Sequence, residues 1–242
     1  MEKEKDFKIS LIIPAYNEEK YIGLCLDSVL KNSKGKFFEI IVVNNKSTDK
    51  TIEIVKKYEG VKIIEEDKQG VTRARQKGFL ESNGDLLAYI DADTNMPNGW
   101  VEQIINEFKK DKNLACLSGP YIYYDVSPWE SFLVKFFWII AMPAYWVIGY
   151  MAISGNLVIK RDVLEKMNGF DTKIEFFGDD TNTARRAKVF GKVKFKLGFK
   201  MHTSGRRLIK SGILKTTFTY VSYFFSESIK HKIKNQEYTE IR

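Results

Sequence analysis

Four short apolar runs, each stopped by a polar cluster and separated from the next by a helix-spaced segment, constrain this chain more than any other feature. They are Lys8 to Pro14, Phe38 to Val43, Val61 to Ile64 and Leu86 to Ile90. Between them, Tyr21 to Leu30, Thr51 to Tyr58 and the stretch opened by Gly70 have the character of helices. Apolar runs of this length read as buried strands, and strands alternating with helices predict βαβ units and a mostly parallel sheet flanked by helices. In such a sheet the ligand crevice lies beyond the carboxyl ends of the strands. The polar clusters that end the runs are therefore the chemically informative residues: Ala15-Tyr16-Asn17-Glu18-Glu19, Asn44-Asn45-Lys46-Ser47-Thr48-Asp49 and Asp91-Ala92-Asp93.

Length and composition bound the organisation. The 242 residues suffice for one large α/β domain and fall short of two. With 44% hydrophobic and 29% charged residues, disorder is excluded as the general state. Cys25 and Cys116 are the only cysteines and have no metal-ligand spacing, which fits a reducing cytoplasm. The opening Met1-Glu2-Lys3-Glu4-Lys5-Asp6 lacks the apolar core of a signal peptide. The net charge of +8 is unevenly spread: from Arg185 to Arg242 there are fifteen Lys/Arg against three Glu. A basic end suits an anionic partner such as phosphate or an acidic membrane surface. The division expected is a domain over 1–205, with a hydrophobic flap at 121–153, and a basic amphipathic segment over 206–242.

Asp91 and Asp93 are hard oxygen ligands one residue apart at a strand end. They suit Mg²⁺ or Mn²⁺, ions that commonly carry substrate phosphates. An isolated Asp-x-Asp also reads as a polar turn in which Asp93 caps the next helix. Combination with other motifs separates these readings. Pro14-Ala15-Tyr16-Asn17-Glu18-Glu19, Asn44 to Asp49, Gly70-Val71-Thr72-Arg73-Ala74-Arg75 with Gly78, Asp91-Ala92-Asp93, Ser154-Gly155-Asn156, Asn168-Gly169-Phe170-Asp171 and Gly178-Asp179-Asp180 occur in one order along the chain. In order and spacing they resemble the family 2 glycosyltransferases, which have the GT-A fold, over roughly residues 8 to 195.

The resemblance implies a nucleotide-sugar donor lying across the strand ends. Pro14, Ala15, Tyr16 and Glu18 would line the nucleoside floor, and Asn45 would stand where the family usually has an aspartate contacting the base. An amide there can hydrogen-bond but supplies no charge. Arg75 would face the base or donor phosphate. Asp91, with Ala92, would hold the ribose side and Asp93 the Mn²⁺ or Mg²⁺. Asp180 is the implied base that deprotonates the acceptor, preceded by Asp179 where Glu is more usual, and the implied stereochemistry is inversion. His202 is a candidate second metal ligand. Arg206 and Arg207 are candidate clamps for a donor or acceptor phosphate.

The segment from Phe132 to Ile153 is long enough to span a bilayer. A crossing there would put Asp93 and Asp180 on opposite sides, and Lys135 and Pro143 interrupt it. Trp138, Tyr145, Trp146 and Tyr150 favour interfaces. An interfacial or re-entrant helix pair is therefore expected, with Thr217 to Phe225 beside it and the basic tail towards anionic lipid at the cytoplasmic face. A hydrophobic flap or dimer surface is the competing reading. An apolar, phosphate-friendly surface suits a glycan or polyprenyl-linked acceptor, with Trp138 and Trp146 near it. A non-catalytic nucleotide-sugar or lipid-binding module of the same fold is the alternative to an enzyme. Nucleic acid is not an expected partner, because the positive charge is not on a reading helix.

Overall fold

The computed structural model describes residues 6–174 and 178–212, with the single positions Thr219, Ser222 and Ser226. The rest of the expected basic segment, including most of the stretch from Thr217 to Phe225, lies outside the described residues.

The first half alternates as its pattern predicts: β1 (Ile9–Ala15), α1 (Ile22–Ser33), β2 (Glu39–Asn44), α2 (Thr51–Val55), β3 (Val61–Glu65), α3 (Val71–Glu81) and β4 (Leu86–Ile90). There follow β5 (Thr94–Asn95), α4 (Trp100–Lys110), β6 (Leu114–Ser118), β7 (Tyr121–Tyr123), α5 (Pro128–Ile148) and β8 (Asn156–Lys160). The described elements end with α6 (Arg161–Lys166), α7 (Asp179–Lys188), β9 (Lys192–Phe195), β10 (Met201–Thr203) and α8 (Arg206–Ser211).

The main sheet runs β3-β2-β1-β4-β8-β6-β9. Its strands are parallel except β8, which pairs antiparallel with both β4 and β6. Period-two alternation gives each strand two apolar faces. Ile9, Leu11 and Ile13 face a core closed by Leu26 of α1 and by Trp100, Ile104 and Phe108 of α4. Ile12 faces the opposite core with Tyr89, Ala74 and Phe79 of α3 and Ala184 and Ala187 of α7. Burial of each large apolar side chain contributes roughly 1.5–3 kcal/mol, and this double-sided burial fixes strand register.

The order of strands opens the crevice. From β1 the chain moves outward to β2 and β3, then returns across β1 to β4, so the switch point lies between β1 and β4. Pairing of β1 with β2 continues to Ala15↔Asn44, whereas its pairing with β4 ends at Ile12↔Tyr89. Pro14, which has no N–H to offer, falls in the unpaired remainder. A small second sheet, β5-β10-β7, stands over the end of β4.

The hydrophobic segment forms one continuous helix rather than the expected helix pair. Ser127 caps α5 through a reciprocal box: its hydroxyl accepts from Glu130 N, and the Glu130 carboxylate accepts from Ser127 N at 2.9 Å. Pro128 starts the helix and Gly149, at φ 80°, ends it in the left-handed conformation. Pro143 removes the bond its N–H would have made to Ile139 and its ring crowds that carbonyl, yet the helix runs through it to Gly149. The helix is long and apolar enough to cross a membrane, and no residue of it is buried within the chain. Its inner side carries Trp138 and Tyr145 against Phe195. Its outer side is a stripe of Trp129, Phe132, Phe136, Ile139, Ile140, Trp146 and Val147. Of the two tryptophans singled out by sequence, Trp146 lies on that stripe, whereas Trp138 turns inward.

Candidate active site

Two loops are laced together at the ends of β1 and β2. Glu18 N donates to Thr51 Oγ1 at 2.7 Å, Asn17 N to Ser47 Oγ at 3.0 Å and Glu19 N to Asp49 Oδ2 at 3.1 Å. In return Asn17 Oδ1 accepts from Thr48 N at 2.7 Å. The polar clusters following the first two strands thus satisfy each other's backbone, leaving Pro14 and Ala15 buried and Tyr16 and Glu18 partly exposed.

Asn45 is fully engaged within the chain. Its Nδ2 donates to the carbonyls of Glu66 and Lys68 at 3.1 and 2.9 Å, and its Oδ1 accepts from Gly70 N at 2.7 Å. It therefore pins the 66–70 loop to the end of β2. A carboxylate could not donate to those two carbonyls, which accounts physically for an amide where the resemblance leads one to expect an acid. Asn44 behaves similarly, donating to Glu65 Oε2 and accepting from Ser47 N.

Asp91, at the end of β4, has both oxygens engaged. Tyr121 Oη donates to Oδ2 at 2.6 Å, and Arg75 Nη2 lies 3.2 Å from Oδ1. Burial first, and then the Asp91 charge, raise the Tyr121 phenol, keeping it a donor. Ala92 turns into the core. Arg75, expected at the donor, is buried beneath this site, with its Nη1 2.5 Å from Asp179 Oδ2. Ser154 Oγ donates to the same Asp179 oxygen at 2.7 Å.

Asp180 follows at the first turn of α7, and its Oδ1 accepts from Thr181 N at 2.7 Å and Thr181 Oγ1 at 3.3 Å. Burial, then the adjacent Asp179 charge, push it up to about 7 against the Thr181 hydrogen bonds. A carboxylate poised near neutrality suits proton transfer.

Asp93 sits in a mostly acidic corner. Its Oδ1 accepts from Thr203 Oγ1 at 3.2 Å, and Arg206 Nη2 is 3.0 Å from its Oδ2. Arg206 also forks onto Glu18, Nη1 to Oε2 at 2.9 Å and Nη2 to Oε1 at 2.5 Å. Burial pushes Asp93 up to about 7, with Arg206 opposing and Asp91 and Glu18 assisting. His202 is not brought to this corner. Along β10 successive side chains alternate, and Thr203 is the one turned to Asp93. The His202 imidazole has its pKa lowered by burial and then by Lys200. Arg207 follows Arg206 on α8 and is partly exposed.

The oxygen donors of Asp93 and Glu18 fit a hard divalent cation. Among the described residues no three His, Cys, Asp or Glu side chains form a cluster able to hold a metal ion. Such an ion here would need additional ligands, as Mg²⁺-type ions commonly obtain from substrate phosphates.

Sequence reasoning missed Tyr121, Ser154, Gly155 and Asn156 as working parts. Ser154 holds Asp179. Asn156 Nδ2 donates to the carbonyls of Gly119 and Phe199, and its Oδ1 accepts from the Trp100 indole. At Gly155 a β-carbon would overlap Tyr121 Oη and Asp91 Oδ2. The signal was present in Ser154-Gly155-Asn156 as three small or amide residues opening a strand, but its partners lie far away in sequence.

Comparison with known proteins supplies the family and the fold. The sequence model of Glycosyl transferase family 2 matches residues 10–167. The Bacillus subtilis protein "Probable glycosyltransferase YdaM" is 29% identical over 202 residues, covering 76% of this chain and 47% of its own length. The Methanococcus voltae dolichyl N-acetyl-alpha-D-glucosaminyl phosphate 3-beta-D-2,3-diacetamido-2,3-dideoxy-beta-D-glucuronosyltransferase is 32% identical over 122 residues, covering 46% of this chain and 38% of its own. This chain thus spans half or less of the length of these two relatives. Among solved structures, the Pyrobaculum calidifontis mannosyltransferase PcManGT, in complex with GDP-Man and Mn²⁺, superposes with a TM-score of 0.70 at 19% identity. That alignment covers 93% of this chain and 65% of that one, and establishes the shared GT-A fold.

Proposed function

Because this chain belongs to glycosyl transferase family 2, we propose that it moves a sugar from a nucleoside-diphosphate sugar to an acceptor hydroxyl or phosphate with inversion. The observation that carries this reading is the geometry of the acid pair: Asp179 is held by Arg75 and Ser154, Asp180 stands beside it in the first turn of α7, and the same Arg75 reaches Asp91. Asp180 accepts the proton as the acceptor oxygen bonds to the anomeric carbon and the bond to the diphosphate breaks. Direct displacement by that oxygen inverts the carbon. Asp91, fixed by Tyr121 and Arg75, receives the ribose side of the donor. Asp93 would hold Mn²⁺ or Mg²⁺, whose chemistry there would be to stabilise charge on the departing diphosphate. Pro14, Ala15, Tyr16 and Glu18 form the nucleoside floor, and the loop pinned by Asn45 borders the base.

The outer stripe of α5 supports an acceptor presented at a membrane surface. Tyr121 precedes this helix, Ser154 follows it, and the two meet at adjoining parts of the same site through Asp91 and Asp179. That closure argues for a helix lying along the surface rather than through it. From Ser131 to Arg161 there is no Asp or Glu, which suits anionic headgroups. The Methanococcus relative is named for a dolichyl-linked substrate, and a polyprenyl-linked glycan fits the same arrangement here at the cytoplasmic face.

The test is titration with nucleoside-diphosphate sugars with and without Mn²⁺, followed by product analysis by NMR. Metal-dependent binding of one donor and an inverted anomeric centre are expected. Asp180→Asn should retain donor binding and lose about 10²–10⁴-fold in turnover. Donor binding indifferent to metal and to Asp93→Ala would replace this reading with the binding-module one.

A further inference from the structure

Arg206 occupies the position a metal ion would contest. Its guanidinium holds Glu18 by two bonds and lies 3.0 Å from Asp93 Oδ2. It also lies 4.8 Å over the Tyr21 ring. Its backbone is held in place: Ser204 Oγ donates to Asp125 Oδ2 at 2.5 Å, Gly205 N donates to Asp125 Oδ1, and a β-carbon at Gly205 would overlap Val126. The corner is thus already supplied with a fixed cation.

We infer that Arg206 is the resident counter-cation of Asp93, and that it excludes a bare divalent ion while admitting the metal together with a diphosphate. This rests on the donor-site reading above. A divalent ion on Asp93 without added anion would sit within a few ångströms of the guanidinium and be repelled in a partly desolvated site. A diphosphate arriving with the ion supplies oxygen ligands to the metal and a fork acceptor to Arg206, converting repulsion into shared attraction. Two separate observations converge on this: the guanidinium is bound to Asp93, and the described residues offer no cluster of three metal ligands. Metal and nucleotide binding are then coupled through Arg206, and the coupling is reciprocal.

The experiment is a thermodynamic cycle on the full chain by calorimetry, with free Mn²⁺ counted by electron paramagnetic resonance. Mn²⁺ is titrated alone and with GDP or UDP, into the native protein, Arg206→Gln, Arg206→Met, Arg206→Lys and Lys210→Gln. Arg206→Gln should bind bare Mn²⁺ about tenfold more tightly than native protein, and the nucleotide in saturating Mn²⁺ about tenfold more weakly. Lys210→Gln, which removes a charge from the same helix, should change neither. Circular dichroism reports whether each variant folds. If Arg206→Gln does not fold, Arg206→Met, which keeps a stem over Tyr21 and drops the charge, carries the test with the same expectation. Arg206→Lys keeps the charge and should exclude bare Mn²⁺ nearly as well as native protein does, though it cannot fork onto a diphosphate. Equal bare-metal affinity in native protein and a folded charge-removing variant overturns the inference and leaves the donor site standing. Absence of any Mn²⁺-dependent nucleotide binding in native protein removes both.

Discussion

Asp91 and Asp179 are held by the two ends of one guanidinium, Arg75 Nη2 lying 3.2 Å from the first and Nη1 2.5 Å from the second. The end of β4 and the acid pair of α7 are therefore mechanically joined below the surface. Removing the cation would leave two carboxylates facing each other without compensation. Arg75→Leu is expected to lower stability by roughly 3–5 kcal/mol, measured by urea unfolding. A loss well under 1 kcal/mol would mean that the two carboxylates are solvated rather than locked.

The same pairing sets the protonation of Asp180. Asp180 is pushed up to about 7 from an ordinary 3.8, by burial and then by Asp179. As the proposed base, Asp180 must be ionised, so turnover at saturating donor should rise with pH through a limb near 7. Asp179→Asn removes the like charge and frees Arg75 to favour the Asp180 anion. Both effects lower the pKa, so the limb moves to lower pH. Stability follows the opposite sense from a salt-bridged carboxylate. Between about pH 4 and 7 the unfolded chain releases this proton while the folded chain keeps it, so Asp180 costs stability as pH rises. Asp180→Asn should therefore match native stability near pH 4 and exceed it above pH 7, by on the order of 1–3 kcal/mol. Paired thermal scans at the two pH values check it.

The fold was legible because its first half is written in apolar runs whose length and spacing leave few alternatives. Strand β4 and the clusters ending β1 and β2 were readable for the same reason. The antiparallel β8 was not, since Asn156 to Lys160 resembles any buried strand and its direction depends on α5 lying outside the sheet. In the candidate site, Asp91 and Asp93 are legible as carboxylates at a strand end, and Asp180 through the family resemblance. Whether Arg75 faced the donor or the interior depended on Asp179, 104 residues away. His202 and Thr203 are adjacent in sequence, and strand alternation decides which of them meets Asp93. Pro143 suggests a break in the segment, but the helix continues through it to Gly149.

Asn45 offers a test of the 66–70 loop as the proposed border of the base. Asn45→Asp would keep the acceptor towards Gly70 N but lose both donors to Glu66 and Lys68, placing a negative oxygen against two carbonyls. The 66–70 loop should loosen, with a stability loss of about 1–3 kcal/mol. Faster hydrogen exchange at Gly70 and weaker nucleotide binding should accompany it. Preserved exchange protection together with tighter binding would show instead that an acid here serves the base directly.

The exposed face of α5 makes the sharpest prediction about where the protein works. Trp129 is 66% exposed and Trp146 70%, near opposite ends of the stripe, with Ile139 at 62% between them. An apolar stripe of this kind in water is unfavourable unless something covers it. Replacing Trp129, Ile139 and Trp146 with Ser removes apolar contact while leaving Trp138 and Tyr145 packed on Phe195, so the fold should survive. Native protein should float with vesicles containing anionic lipid, less so at high salt, and the triple variant should remain in the soluble fraction. If the native chain stays soluble with vesicles but self-associates, and the variant is monomeric, the stripe is a protein interface and the membrane-surface reading of the acceptor fails.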